Sequence, residues 1–332
     1  MQEVGLCVKL IVCCSLIIFW QAWIWAISQA QDFIYIEQQF FISSVGNEDT
    51  VQNAIAGAIV KKVVEKFEQR KAAAESSQLG PPFKVVILIP QLPEGDFTSD
   101  AGVRAIMFFQ SKTIRTMLNE IVTRTGVVVP GELILFASLR AKGDVCDRTH
   151  TNQCYIHSKM LIVDDRIAII GSANVNDRSM CGDRDSEICV CVCQAPSSND
   201  SLSSSSIAKF RMRLWNRYCG LPLDSPASRI AATFANELVR TCMHNTAIYE
   251  DATCFCMPSN KITNMREYAR AASEANAARD KSPDVAKAQL SHILGLLVMF
   301  PVHFLKEDTT LTPRYVVSLR NSVASINDVP TV

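Results

Sequence analysis

The stretch "HSKMLIVDDRIAIIGSAN", residues 157–174, decides the reading of this chain. Two β-rich runs, "YIHSKMLIV" (155–163) and "RIAIIGSAN" (166–174), flank a pair of aspartates, the pattern of a β-hairpin. A two-residue loop at Asp164–Asp165 sets His157 opposite Ser172 and Tyr155 opposite Asn174. A loop at Asp165–Arg166 sets His157 opposite Asn174 and Lys159 opposite Ser172. In both registers the four polar groups share one face, because side chains alternate with period 2. A three-residue turn would flip one strand and separate them. The other face carries Ile156, Met160 and Ile162, with Ile167 and Ile169 in part, as the anchor to a core.

That face gathers an imidazole, an ammonium, a hydroxyl and an amide. Lys159 supplies positive charge, and Ser172 and Asn174 supply neutral donors, a set suited to the non-bridging oxygens of a phosphodiester. His157 can attack phosphorus or move a proton near neutral pH. Gly171 lets the backbone approach a ligand closely. Asp164 belongs to the candidate catalytic set with His157 and Lys159. Its place at the turn, off the shared parity, gives it a structural task, holding the turn by side-chain to backbone bonds.

The 332 residues are 48% hydrophobic, enough for a large core or two domains and too apolar for a disordered chain. Lys+Arg and Asp+Glu both number 33, so nothing in the net charge calls for nucleic acid. The 13 cysteines follow no framework pattern. Cys189, Cys191 and Cys193 in "ICVCVC" read as small buried hydrophobes of a reduced, cytoplasmic protein. No carboxylate cluster suits Mg²⁺ or Ca²⁺, and the histidine and lysine chemistry needs neither metal nor cofactor.

Strands and helices alternate outward from the hairpin. "FIYIEQQFFIS" (33–43), "FKVVILIP" (83–90) and "GELILFAS" (131–138) read as buried strands. Residues 50–75 read as a helix capped by Asp49 or Thr50, with Ile55, Ile59, Val63 and Phe67 on one stripe. Residues 105–126 read as a second helix stopped by Gly126. "SSQLGPP" and "APSSNDSLSSSS" (195–206) are loops. The pattern predicts an α/β fold, a mixed and largely parallel sheet flanked by helices, with a mostly helical C-terminal extension. We divide the chain into a hydrophobic N-terminal segment (1–21), a catalytic lobe (22–222) and an extension of the same lobe (223–332). "LIVCCSLIIFWQAWIWAI" (10–27) just reaches the length of a spanning helix. Residues 1–30 also admit a signal peptide, and Ala22, Ala26 and Ala30 fit a buried helix. "ILGLLVMFPVHFL" (293–305) is too short to span and reads as core.

The spacing H-x-K-x4-D-x6-G-S-x-N resembles the HKD motif of the phospholipase D superfamily. "FIYIEQQFF" is similar to the "IYIENQFF" strand of the eukaryotic enzymes, with Gln38 for the usual Asn. "NDRSMCGDRDSEI" (176–188) resembles the segment after their second motif. "FRMRLWNRYCGL" resembles a later helix, with Tyr218–Cys219 where His–Leu is common. "NTAIYEDATCFCMP" and "FPVHFLKED" resemble segments near their C-termini. The resemblance runs from about residue 22 to about 310 and covers the C-terminal half of a eukaryotic catalytic region. It implies an α/β lobe that pairs with a second lobe across a pseudo-twofold axis. It implies a phosphohistidine on one motif's histidine, with the other, here His157, as general acid and base. It implies an acidic residue that orients the imidazole, with Glu187 the choice and Asp185 the alternative. The substrate implied is a phosphatidylcholine-like phospholipid at a membrane surface, with no nucleic acid. Glu37, Gln38 and Gln39 are placed to line the mouth or to satisfy backbone groups there.

His150, His244, His292 and His303 are the other histidines, and none has Lys two residues later. A two-histidine reaction therefore cannot be completed by one copy of this chain. Three expectations follow: a two-lobe enzyme whose first lobe is missing from this sequence, a homodimer donating one His157 each, or a module that binds phosphate or lipid headgroups without turnover. The basic helix at 209–217 offers a surface for anionic headgroups.

Overall fold

The computed structural model describes residues 6–13, 18–46, 51–74, 82–127, 130–145, 148–182, 184–194, 205–229, 231–252, 254–281 and 283–308. Phe33–Glu37 (β2), Lys84–Leu88 (β3) and Ile134–Val145 (β4) form a parallel block. Every residue of β2 and β3 is buried, which is why these runs are almost wholly apolar and not alternating. Two helices carry the crossovers, Ile55–Ala73 (α2) and Ala101–Thr125 (α3). Asp100 caps α3 by accepting the Gly102 and Val103 amides, and Gly126 ends it at φ 73°.

The stripe expected on α2 is present, with Ile55, Ile59 and Val63 buried and Phe67 packed at its edge. The helix starts later than position 50, however. Its N-cap is Ala54, without a side-chain cap, while the Asp177 carboxylate takes the Gln52 and Asn53 amides and draws those residues out of helical geometry. The proposed caps Asp49 and Thr50, most of "SSQLGPP", and residues 195–204 of the Ser-rich segment lie outside the described residues.

Leu6–Cys13 (β1), Arg148–Gln153 (β5), Met160–Val163 (β6), Ile167–Gly171 (β7), Glu187–Gln194 (β8) and Leu297–Met299 (β9) complete the sheet. Its order is β1-β8-β7-β6-β2-β3-β4-β5, with β9 also on β4. The sheet is mixed and helix-flanked, as expected. Among the strand ladders, β2–β3 and β3–β4 are parallel and the others antiparallel, and an isolated parallel bridge joins Phe41 to Val175. Helices α2 and α3 make the crossovers of the parallel block, whereas β6 and β7 are joined by a short turn that reverses the chain.

Helix Ile18–Ser28 (α1) packs with α2 and α3 on one sheet face, burying Trp23, Ala26 and Ile27. Residues 10–27 are therefore not one spanning helix, because β1 takes their start and α1 their end. No helix among the described residues is long and apolar enough to cross a membrane. Beyond the short helix Asp177–Met180 (α4), helix Ser206–Tyr218 (α5) and helix Ala231–Asp251 (α6) cover the other sheet face. There Trp215 meets Tyr35 edge-on at 5.4 Å and stacks with Phe234. Met265–Lys281 (α7) and Pro283–Gln289 (α8) follow. β9 then returns to the main sheet, burying Leu297 and Val298, so the extension shares the lobe's sheet.

The hairpin register differs from both that were weighed. Val163 pairs with Ile167 and Met160 with Ile170, so three residues, Asp164–Arg166, intervene. Asp164 and Asp165 both adopt positive φ, 51° and 54°, and Arg166 N–H donates to Val163 C=O at 2.9 Å. Arg166 is the extra residue. Lys159 consequently faces Gly171 and not Ser172, and the Gly171 amide donates to the Lys159 carbonyl at 3.0 Å. The anchoring faces change with it. Leu161, Val163, Ile167 and Ile169 pack toward α1–α3, while Met160, Ile162 and Ala168 pack toward α5 and α6.

Candidate active site

The polar groups collect at the carboxyl end of the parallel block, where β2 and β3 stop, β4 runs on beyond its pairing with β3, and β6 begins. This is the usual place for a site in an open α/β sheet. His157 is exposed, and its ring stacks beside Tyr155 with centroids 6.3 Å apart. Partial burial and the nearby Lys159 ammonium hold the imidazole below its ordinary pKa, with Glu94 opposing them. Both effects favour the neutral imidazole, the form able to accept a proton.

Lys159 is buried. Its ammonium donates to the Gln39 side-chain carbonyl at 3.0 Å and to the His157 carbonyl at 2.7 Å. Burial lowers its pKa to about 8, with the Glu187 charge partly opposing. Gln39 is itself oriented, since its amide donates to the Tyr155 hydroxyl at 3.2 Å.

Ser158, between the two motif residues, points the other way and donates to Glu37. Glu37 is 3% exposed and also accepts the hydroxyls of Tyr35 and of Tyr218, the latter at 2.8 Å. Burial raises its pKa, and the three hydroxyl bonds pull against that rise. The hydroxyl from α5 therefore reaches through the core to tether the H-x-K segment. The sequence offered a signal for this in the alternation of "FIYIE", which puts Glu37 on the Tyr35 face. It offered none for Gln39 as the partner of Lys159.

Chain geometry changes after Gly171. A Cβ there would fall 2.2 Å from the Ile188 carbonyl oxygen and 2.4 Å from Cys189 Sγ, so only glycine lets β7 lie this close to β8. Ser172 is exposed and donates its hydroxyl to Glu187, while its oxygen accepts the Ile188 amide at 3.1 Å. Glu187 is thus joined to Ser172 by a hydrogen bond and to Lys159 by charge; its described hydrogen bond goes to the serine, not to the imidazole. The alternative, Asp185, forms an ion pair with Arg178 at 2.6 Å. Asn174 is buried with its side-chain carbonyl unpartnered, and its neighbour Val175 donates its amide to Gln38 at 3.0 Å.

Asp164 stands apart. It lies five residues along the strand from Lys159, about 16 Å at ~3.3 Å per residue. Its carboxylate accepts the Gln31, Asp32 and Phe33 amides at 2.7, 2.9 and 2.8 Å. It sits at the far end of the hairpin and fixes the start of β2 against the turn, so its place among the catalytic residues is corrected to an architectural one. Asp165, beside it, forms a two-pronged ion pair with the fully buried Arg211 of α5, both bonds at 2.8 Å. Among the described residues no group of three His, Cys, Asp or Glu is placed to hold a metal ion.

The family model described as phospholipase D matches residues 16–126 and 134–260. Phospholipase D zeta 1 of Arabidopsis thaliana is 34% identical over 322 residues, covering 85% of this chain and 28% of that protein. Phospholipase D1 of Homo sapiens is 32% identical over 308 residues, covering 87% of this chain and 27% of that protein. The chain therefore spans less than a third of the length of these relatives. Among solved structures, the phospholipase D family member Nuc from Salmonella typhimurium superposes with a TM-score of 0.30 at 17% identity, covering 58% of this chain and 86% of that one.

Proposed function

The chain belongs to the phospholipase D family, and from that premise we propose that it is the His157-bearing lobe of a phosphodiesterase. Its substrate is a phosphatidylcholine-like phospholipid, cleaved to phosphatidic acid and the free headgroup alcohol. The observation that carries this reading is the pairing of an exposed imidazole with a buried ammonium two residues away, at the mouth of the parallel block. A histidine from a second lobe attacks phosphorus, and the bond to the headgroup oxygen breaks. His157, protonated beside the bound anion, gives its proton to the departing oxygen. Neutral His157 then takes a proton from water, whose oxygen attacks phosphorus and breaks the phosphorus–nitrogen bond. Lys159 holds the non-bridging oxygens, Asn174 adds a neutral donor, and Ser172, whose one hydroxyl proton goes to Glu187, acts through that carboxylate. Glu187 sets Ser172 and supports the charge on Lys159.

Because this sequence holds one H-x-K, the second histidine comes from a partner lobe or from a second copy. The membrane partner is supported by α5, where Lys209, Arg213 and Arg217 are exposed at a four-residue spacing along one stripe. Such residues contribute about 1 kcal/mol each near an anionic surface. This gives a peripheral, cytoplasmic place at membranes.

Choline release from phosphatidylcholine vesicles, measured with the chain and its His157→Ala variant, tests the reading, together with mass in solution. Turnover by a dimer, lost in His157→Ala, supports it. Turnover by a strict monomer overturns the two-histidine scheme. No turnover at any concentration overturns the homodimer. Phosphate and vesicle binding without turnover, at every concentration and with a partner lobe supplied, would favour the binding module.

A further inference from the structure

Gln38 follows β2 directly and is a fully buried amide whose side-chain nitrogen is left without a partner. The β2–β6 ladder pairs Ile34 with Val163 and Ile36 with Leu161. Continued by two residues, the same register sets Gln38 opposite Lys159, on the face of Leu161 and Val163. The backbone stays on that line, since the Gln38 amide donates to the Leu88 carbonyl at 3.0 Å and prolongs the β2–β3 pairing. Gln38 is 0% exposed.

Its orientation is not arbitrary. The Val175 N–H donates to the side chain at 3.0 Å, and only the amide oxygen can accept it. The nitrogen, Nε2, must therefore be the free end, and it has no hydrogen-bond partner. A buried donor left unpaired is unfavourable, and such groups in folded proteins ordinarily find an acceptor. On either side, Glu37 accepts the Ser158 hydroxyl and Gln39 accepts the Lys159 ammonium. Val175 follows directly after Asn174. Gln38 thus joins the H-x-K half of the hairpin to the G-S-x-N half.

We infer that Gln38 is a phosphate-binding residue, whose Nε2 donates to a non-bridging oxygen of the phosphodiester held by Lys159. This rests on the phosphodiesterase reading above. The anion supplies the acceptor that the protein withholds, and the Val175 bond holds the donor in place before the ligand arrives. A preset donor of this kind loses no orientational freedom on binding.

The test is titration of the full chain with inorganic phosphate, for the parent, Lys159→Ala, Gln38→Glu and Gln38→Met, with folding of each followed by circular dichroism. Gln38→Glu keeps the acceptor for Val175 and removes the donor. Gln38→Met removes the donor without adding charge. Both are expected to weaken phosphate at least tenfold while remaining folded, as Lys159→Ala does. Binding by the Gln38 variants within threefold of the parent, with Lys159→Ala impaired, overturns the inference and leaves the phosphate site standing. Loss in Gln38→Met alone marks a packing defect and also overturns it. A parent chain that binds no phosphate, or a Lys159→Ala variant that binds it normally, overturns the underlying reading together with the inference.

Discussion

The Lys159 ammonium and the Gln39 carbonyl, joined at 3.0 Å, flank the ends of two paired strands, just before β6 and just after β2, although 120 residues separate them in the chain. With the His157 carbonyl, Gln39 is what the protein offers this buried cation, and the Glu187 charge acts on it from farther off. Replacing Gln39 by Leu leaves the ammonium with a single described acceptor, so its pKa drops below about 8. Phosphate binding at pH 7.5 is expected to weaken several-fold, and Gln39→Glu is expected to move the pKa upward. Titrating phosphate affinity against pH reads both shifts.

Lysine ionisation also sets a pH limit. With the folded pKa at about 8, the charge fades as pH rises through 8, and phosphate affinity falls with it. Lys159→Arg keeps its charge across this range and should flatten that dependence, even if its absolute affinity is lower. The stability effect runs the other way. Between about pH 8 and the ordinary lysine value of 10.5 the unfolded chain holds the proton that the folded chain has lost. Lysine burial therefore favours unfolding less as pH rises through that window. Denaturant midpoints of parent and Lys159→Met, compared at pH 7.5 and pH 10, measure the difference.

Glu37 is expected to matter to both fold and site. Glu37→Gln turns one acceptor oxygen into a donor, so at least one of the Tyr35, Ser158 and Tyr218 hydroxyls loses its acceptor, at a cost of about 1–3 kcal/mol. Tyr218→Phe removes one hydroxyl bond and should cost about 1 kcal/mol. Because the folded pKa of Glu37 is raised, its contribution is fully present below the unfolded value of 4.5 and is lost as pH rises through the folded value. In urea unfolding, the stability gap between the parent and Glu37→Gln is expected to narrow as pH rises above 4.5.

Asp164 predicts a stability loss with an intact site. Asp164→Ala leaves three amides at the start of β2 without their acceptor, for a loss of about 2–4 kcal/mol. Phosphate affinity of the protein that remains folded should match the parent. A large affinity loss in fully folded Asp164→Ala would contradict the architectural role.

The buried pair of Asp165 and Arg211 should be more sensitive to losing one partner than both. Arg211 lies over the rings of Phe33 and Trp215, 5.5 and 4.7 Å from their centroids. Asp165→Asn strands that guanidinium in the core, at about 3–5 kcal/mol. Asp165→Asn combined with Arg211→Met should recover part of it, as thermal melts of the three variants would reveal.

Much was legible in the chain alone. The runs at 33–43, 83–90 and 131–138 gave buried strands because strands covered on both faces need apolar residues throughout. Gly126 gave a helix stop because it adopts positive φ. Within the hairpin, the alternation of Leu161 and Val163 against Met160 and Ile162 is local backbone geometry, and any reader of the sequence can write it down. Register is another matter. Whether Lys159 faces Ser172 or Gly171 depends on whether two or three residues make the turn, and both answers fit the same letters. Contacts far away in sequence hold that turn: the Asp164 carboxylate on the amides of residues 31–33 and the Asp165 carboxylate on Arg211. These forces fix two successive aspartates at positive φ and leave Arg166 as the extra residue. The motif's residue types were set by the sequence. Which of them meet was set by tertiary contacts, because a shift of one residue in pairing moves every side chain to the opposite face of the sheet.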